Sequence, residues 1–456
     1  MRNLTIENIC DAVNGTLYYD NGNTAEASGV VIDSRLVEEN FIFIAAKGER
    51  VDGHSFIPQV FEKKALAVIC EEVPEEEYGP CIQVENSFEA LKKLAAYYRQ
   101  QFDVKVVGIT GSVGKTSTKE MIASVLSAHY KVHKTAANHN NEVGLPLTIL
   151  AMPEDTEVMV LEMGIDNFGQ MTELAKTAQP DVSVITNIGT AHLEFLGTRD
   201  GILKAKTEMF EYLNPEGQAF LNGEDDKLST VKAVNGKTPV RFGLEEKDDV
   251  YASEIEENGI LGSSASIHLS GNNTIQVNIP LPGIHSVINA CAGAAVGEYL
   301  GLTAEEIKSG IESVKTIAGR NNLIRTDSLI IIDDCYNANP VSMKASLDVL
   351  KKAFSRRVAV LGDMFELGEN EAAMHEETGA YAAECADVLL SVGPLSEHMH
   401  SGAVNAGMKK ALHFDTKEEL MKQLPALLAK GDTVLVKASH GMALEQVVAF
   451  LQKLDL

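Results

Sequence analysis

Short apolar runs punctuated by glycine and acidic residues open the chain. Phe41-Ile42-Phe43-Ile44 and Ala67-Val68-Ile69-Cys70 have the length of buried strands, and Phe88 to Tyr98 carries apolar residues at helical spacing. They predict a small α/β domain over residues 1–103. The pattern restarts at Val104-Lys105-Val106-Val107-Gly108-Ile109-Thr110, an apolar strand that runs directly into a glycine loop and a helical pattern beginning near Lys115. Val158 to Leu161 and Val182 to Thr186 read as further buried strands, so a mostly parallel sheet with flanking helices is expected. From Asp249 to Pro280 the texture turns to alternation and turns. That segment predicts antiparallel strands, with a hairpin at Gly271-Asn272-Asn273, extending one edge of a central domain over residues 104–316. After Gly319-Arg320 come a strand (Leu329 to Ile332), a helix (Met343 to Phe354), a strand (Val358 to Leu361), a strand (Val434 to Val436) and a final helix. A doubly wound, Rossmann-like α/β domain over residues 317–456 fits this order.

Composition bounds the picture without naming a substrate. The chain has 456 residues, which at roughly 100–200 residues per domain accommodates the three domains that the pattern delimits. Apolar residues make up 45% and charged residues 23%, so each domain can bury a core. The formal net charge of −26, with no local run of Lys or Arg, excludes a nucleic-acid partner. An anionic nucleotide must therefore be held by local donors. Cys10, Cys70, Cys81, Cys291, Cys335 and Cys385 show neither Cys-x-x-Cys spacing nor a disulfide framework, and are expected to be reduced thiols. The N-terminus lacks an export signal and no apolar stretch approaches a membrane span, so a cytoplasmic, monomeric protein is expected.

The strongest chemical signal is Gly108-Ile109-Thr110-Gly111-Ser112-Val113-Gly114-Lys115-Thr116-Ser117. Its glycines let backbone N–H groups approach phosphates, Lys115 neutralises the terminal ones, and Thr116 reaches magnesium. Ile109 stands where the ordinary phosphate loop has its first glycine; the bland alternative is a tight turn before a helix. Glu162 closes the Val158 strand, where a carboxylate at the C-terminal edge of a parallel sheet can hold magnesium or merely cap the strand. The amides of Asn138, Asn140 and Asn141 can orient phosphate and carboxylate oxygens, or form Asx turns. His192 lies just beyond a buried strand, a position more often structural than metal-binding.

In this order the segments resemble the Mur ligase family, relatives of folylpolyglutamate synthetase, whose nucleotide loop has the form Gly-Thr/Ser-x-Gly-Lys-Thr seen at Gly111 to Thr116. The missing glycine at Ile109 is then expected. Nearly the whole chain takes part: Asp33-Ser34-Arg35, Val51-Asp52-Gly53-His54, Asn138 to Pro146, Glu162-Met163-Gly164, Ala191-His192-Leu193-Glu194, Cys335-Tyr336-Asn337-Ala338-Asn339-Pro340 and Gly362 to Gly368 all resemble family segments. One departure is His285-Ser286, where the family often has His-Asn, although Asn289 remains.

The resemblance implies an ADP-forming ligase that activates a peptide carboxylate as an acyl phosphate. Asn337 to Pro340 and Gly362 to Gly368 point to the branch that joins D-alanyl-D-alanine to a UDP-N-acetylmuramoyl tripeptide, using ATP and Mg²⁺, in peptidoglycan synthesis. By the same resemblance Ser34 and Arg35 contact the uridine nucleotide, with the stretch Lys47-Gly48 to Gly53-His54 nearby. Gly111, Ser112, Val113, Gly114, Lys115, Thr116 and Ser117 hold the phosphates, Asn289 lies near the adenine, and Arg320 and Asp334 close on phosphates and ribose. Asn138, Asn140, Asn141, Asn337 and Asn339 face the substrates, with Ala338 and Pro340 in the wall. Thr116, Glu162, His192 and Lys206 serve the metal, Lys206 as a carbamate. Periodicity selects the same lysine: over Asp200 to Glu211, Ile202, Leu203, Met209 and Phe210 form an apolar face centred on Lys206, with Lys204, Asp200, Glu208 and Glu211 opposite. An inward lysine loses hydration, which favours the neutral amine that reacts with carbon dioxide; a snorkelling lysine is the alternative. Other readings are another Mur ligase, a folylpolyglutamate synthetase-like amide ligase, or a non-catalytic nucleotide-binding regulator on the same fold.

Overall fold

The computed structural model describes residues 1–48, 51–316 and 318–456, apart from the side chain of Asn272. Glu49 and Arg50, within the Lys47 to His54 stretch, and Ile317, the first residue of the expected third domain, lie outside the described residues. Three sheets follow one another along the chain.

The first sheet contains β1 (Thr16–Tyr18), β2 (Gly29–Val31), β3 (Phe41–Ile44), β4 (Ala67–Cys70) and β5 (Cys81–Gln83), in the order β1-β5-β4-β3-β2. Its helix Ser87–Arg99 is capped by Asn86, whose side chain accepts from the N–H groups of Phe88 and Glu89. Leu91, Leu94 and Tyr98 on this helix pack into one apolar cluster with Leu145, Ile149 and Leu174 of the next domain. The first two domains therefore share a core.

The central sheet contains β6 (Lys105–Thr110), β7 (Val132–Lys134), β8 (Val158–Glu162), β9 (Val182–Ile185), β10 (Gln218–Asn222), β11 (Val240–Gly243), β12 (Val250–Glu257), β13 (Ser263–His268) and β14 (Thr274–Ile279), in the order β14-β13-β12-β11-β10-β9-β6-β8-β7. β6 lies between β8 and β9, parallel to both, so the ends of all three point the same way. Antiparallel pairing begins only at β12, which makes the Asp249 to Pro280 segment the expected edge extension.

The third sheet contains β15 (Asn322–Arg325), β16 (Ile330–Asp333), β17 (Arg357–Gly362), β18 (Val388–Val392), β19 (Ala411–Phe414) and β20 (Thr433–Lys437), in the order β15-β16-β20-β17-β18-β19. Separate apolar clusters cover its two faces, the doubly wound arrangement. Strand β15 escapes the apolar pattern because its residues are only half-buried. The helix after β16 runs Pro340–Lys351, earlier than Met343 to Phe354, because Asn339 caps it and Pro340 supplies the fixed φ of a first helical turn. The Asp200 to Glu211 pattern also resolves differently. An α-helix covers Arg199–Thr207 and gives way to a 3₁₀ turn at Glu208–Tyr212. Glu208 turns from solvent to accept from the N–H groups of Gly169 and Thr172, at the start of the helix Gln170–Ala178, so it leaves the exposed face on which periodicity puts it.

Among the described residues no helix is long and apolar enough to cross a membrane. All six cysteines are free; Cys10 is half-buried and the other five are buried.

Candidate active site

The ends of β6, β8 and β9 bring three loops to one place. Lys115 starts the helix Lys115–Leu126, and Gly114 ahead of it takes a φ of 84°, a left-handed conformation that glycine adopts without strain. At Gly111 the reason for glycine is space: a Cβ there would lie 1.9 Å from Thr186 Oγ1. The loop is clamped from β9, since Asn187 Oδ1 accepts from Val113 N–H at 3.0 Å, while Asn187 Nδ2 and Thr186 Oγ1 both donate to the Val113 carbonyl. The phosphate loop is thus rigid before a ligand arrives. Lys115 Nζ donates to the Gly111 carbonyl at 3.0 Å. Burial pushes its ammonium below the ordinary lysine range, Glu162 pulls it back up, and Arg320 depresses it further. Anionic phosphates would restore the charge.

Glu162, 2% exposed, ends β8. Its Oε1 accepts from Asn140 Nδ2 at 2.8 Å, whereas Oε2 is buried without a hydrogen-bond partner. His192 sits at a φ of 60° with Nδ1 likewise buried and unpartnered. Glu366 Oε2 lies 3.2 Å from that nitrogen but out of line for a hydrogen bond, so the valence stays open. Burial lowers the His192 pKa, and Lys115 adds to the effect. Lys206 is 1% exposed, as the periodicity of its helix predicts. Burial, then the nearby positive charge of Lys115, drives its pKa well below the lysine value. Among the described residues no carboxylate lies within ion-pair distance of it.

The third domain supplies the facing wall. Arg320 lies over the Tyr336 ring, 3.9 Å from its centroid. Asp334 is engaged on both oxygens: Oδ2 accepts from Lys437 Nζ at 2.6 Å and from Ser346 Oγ, and Oδ1 accepts from Asn321 N–H at 3.0 Å. Lys437 also donates to the Asn337 carbonyl at 3.0 Å, which fixes the loop before Asn339. Asn339 accepts from Ser342 N–H as a helix cap while lining the same space.

Between these walls lies a cavity of about 620 Å³. Of the residues singled out by sequence, Ser112 to Ser117, Asn140, Asn141, Glu162, His192, Asn289, Arg320, Asp334, Asn337 and Asn339 line it. Asn289 is fixed by accepting from Thr118 Oγ1 at 2.8 Å, and Ser286, the departure from the family pattern, donates to the Pro282 carbonyl inside its own helix. Gly111 and Lys206 are buried outside the lining, Asn138 is exposed outside it, and Ser34 and Arg35 belong to the first domain, away from it. There Arg35 pairs with Asp33 at 2.6 Å and holds that carboxyl down to about 2, while Lys63 donates to the Ser34 carbonyl. Sequence reasoning missed Lys437, Asn187 and Tyr336 as site builders. A lysine at the end of an apolar strand was the available signal for Lys437.

Comparison with known proteins agrees with this geometry. Residues 109–297 match the Mur ligase middle domain, 319–440 the Mur ligase glutamate ligase domain, and 26–99 the catalytic domain of the Mur ligase family. The chain belongs to the Mur ligase family. It is 39% identical, over 97% of each chain, to the UDP-N-acetylmuramoyl-tripeptide–D-alanyl-D-alanine ligase of Bacillus subtilis (strain 168). A crystal structure of MurF from Acinetobacter baumannii superposes with a TM-score of 0.90 at 32% identity, covering 99% of both chains. MurF ligase from Thermotoga maritima in complex with ADP gives a TM-score of 0.83 at 32% identity, covering 93% of this chain and 97% of the other. Within this Mur ligase frame the three expected α/β domains are present.

The donor set also suits a hard cation. Glu162 Oε2 and His192 Nδ1 are buried polar atoms with open valences, and Thr116 lies at the start of the loop helix. Among the described residues no three His, Cys, Asp or Glu side chains converge, so a metal here would need further ligands from outside this set.

Proposed function

We propose that this protein is an ATP-dependent ligase that joins D-alanyl-D-alanine to a UDP-N-acetylmuramoyl tripeptide. One observation carries the reading: a braced phosphate loop at Lys115 faces two buried open valences, Glu162 Oε2 and His192 Nδ1, across a single cavity. The full-length similarity to ligases of that name supplies the substrates.

The tripeptide carboxylate attacks the γ-phosphate of ATP, giving an acyl phosphate and ADP; the dipeptide amine then attacks the acyl carbon and inorganic phosphate leaves. Gly111 to Ser117 cradle the phosphates, with Lys115 stabilising the charge that builds on the transferred group. Asn289 lies near the adenine. Arg320 brings the third domain onto the nucleotide from a loop that Asp334 braces through Asn321 N–H, and closure excludes the water that would hydrolyse the acyl phosphate. The third domain's clusters take only Ile260 from the central domain, whereas the first two domains share a core, which supports the third domain as the body that moves. Asn138, Asn140, Asn141, Asn337 and Asn339 orient the peptide groups, and Ser34 and Arg35 hold the uridine nucleotide.

Magnesium, when bound, supplies Lewis-acid stabilisation of the phosphoryl oxygens. Thr116, Glu162 and His192 would hold it, with Lys206 as a carbamate. Lys206 and Lys115 repel one another as cations, and a carbamate replaces that repulsion by attraction. A substrate panel scored by phosphate release tests the reading. Turnover requires ATP, the UDP-muramoyl tripeptide and D-alanyl-D-alanine together; turnover with a single amino acid and none with the dipeptide would refute it.

A further inference from the structure

The loop after β17 holds one residue in a conformation its side chain does not favour. Glu366 has a φ of 61°, in the left-handed region that non-glycine residues avoid. The surroundings fix it there. Asp363 Oδ1 accepts from Ser396 N–H at 2.7 Å, His375 Nε2 accepts from Met364 N–H at 2.9 Å, and Ser439 Oγ accepts from Phe365 N–H at 2.9 Å. Met364 and Leu367 on either side are buried. A strained residue persists only where the structure over-determines it, and such residues concentrate at functional sites.

What this conformation achieves is reach. The carboxylate of Glu366 crosses from the third domain to within 3.2 Å of His192 Nδ1. His192 is left-handed too, at a φ of 60°, so two strained residues meet across the domain boundary. Glu366 remains 59% exposed, whereas Asp334, on the same side of the cleft, is consumed by Lys437, Ser346 and Asn321. Glu366 is therefore a carboxylate of the third domain that stands outside the cavity lining, beside His192 at its edge, and is still free to take a ligand.

The second substrate of the proposed ligase is a zwitterion. Its ammonium must enter the cleft that Lys115 lines, and needs an anion there. We propose that Glu366 binds the ammonium of the incoming dipeptide and, once that ammonium has given a proton to solvent, holds the free amine for attack; this rests on the ligase reading above. Asp166 and Glu142, which line the cavity from the central domain, are the competing anions.

The experiment compares wild type, Glu366→Gln, Glu366→Asp, Asp166→Asn and Glu142→Gln in steady state, varying each substrate in turn. Glu366→Gln should raise the KM for D-alanyl-D-alanine about tenfold or more, the effect of losing one charge-assisted hydrogen bond, with KM for ATP and for the tripeptide within about twofold of wild type. Glu366→Asp should recover part of the loss. N-propionyl-D-alanine, the same dipeptide without its ammonium, is the second readout. As an inhibitor it should bind wild type and Glu366→Gln equally, whereas a merely disordered loop would weaken it as much as the dipeptide. Equal weakening of both, an unchanged dipeptide KM in Glu366→Gln, or an effect confined to Asp166→Asn or Glu142→Gln would overturn the assignment and leave the ligase reading intact. Failure of the wild type to use the dipeptide would overturn both.

Discussion

Three pairs of like residues set the central side of the cleft against the third-domain framework behind the other side. Lys206 and Lys437 are 1% and 2% exposed, yet Lys437 donates to Asp334 and to the Asn337 carbonyl while Lys206 has no carboxylate partner among the described residues. His375 uses both ring nitrogens, accepting from Met364 N–H and donating to the Glu371 carbonyl, whereas His192 Nδ1 has no partner. Asp334 is satisfied on both oxygens; Glu162 keeps Oε2 open. Chemistry matches within each pair, burial matches in the lysine and carboxylate pairs although His375 is buried and His192 half-buried, and satisfaction differs in all three. Buried polar groups are almost always paired in folded proteins, so the satisfied members are framework and the open ones are held ready for a ligand.

The largest effect should break the framework side. Lys437→Met leaves Asp334 buried without its cation and should cost about 3–5 kcal/mol, measured as a lower urea midpoint for the third domain. Asp334→Asn added to it should recover part of that loss. A Lys437→Met protein as stable as wild type would remove Lys437 from the framework class. On the open side the loss should fall on activity. Lys206→Ala should lower turnover about 100- to 1000-fold without lowering stability, because a desolvated polar group with no carboxylate partner is removed. Short carboxylic acids should restore turnover in part; full activity without them would refute a metal-bridging carbamate.

Smaller changes sharpen the contrast. Glu162→Gln should raise the magnesium needed for half-maximal turnover by about 100-fold, and Asn140→Ala, which removes only the hydrogen bond to Oε1, by about tenfold. An unchanged magnesium requirement in Glu162→Gln would show that Oε2 is open for another reason. The smallest effect is in the pH dependence of stability. Burial lowers the His375 pKa, so the native state keeps it neutral while the unfolded chain protonates it near its ordinary value of about 6.5. The unfolded state then binds more protons, and stability is lost as pH falls below about 6.5, at up to about 1.4 kcal/mol per pH unit. His375→Gln should make the plot of Tm against pH shallower there, though not flat, since His133, His192 and His285 are depressed as well. Identical slopes would mean that His375 titrates alike in both states.

Much of the chemistry was legible before the fold, because backbone geometry demands particular residues. The loop from Gly111 to Thr116 is such a case: Gly114 needs a left-handed φ, and Gly111 has no room for a Cβ beside Thr186. The inward aim of Lys206 was legible from helical periodicity alone. Its neighbour Glu208 was not, because the helix gives way to a 3₁₀ turn there and the carboxylate binds N–H groups some 39 residues earlier in the chain. Lys437 and Asp334 lie 103 residues apart, and no local spacing joins them.

The sequence by itself determined the most apolar strands, the three α/β domains and the phosphate loop, since apolar periodicity and glycine spacing are local properties of the chain. Only the tertiary structure decided which buried charges are satisfied. Lys206 and Lys437 are the same residue type, each close to apolar neighbours in sequence. Whether either meets a carboxylate depends on which loop the fold brings opposite it, and that partner is set by long-range packing.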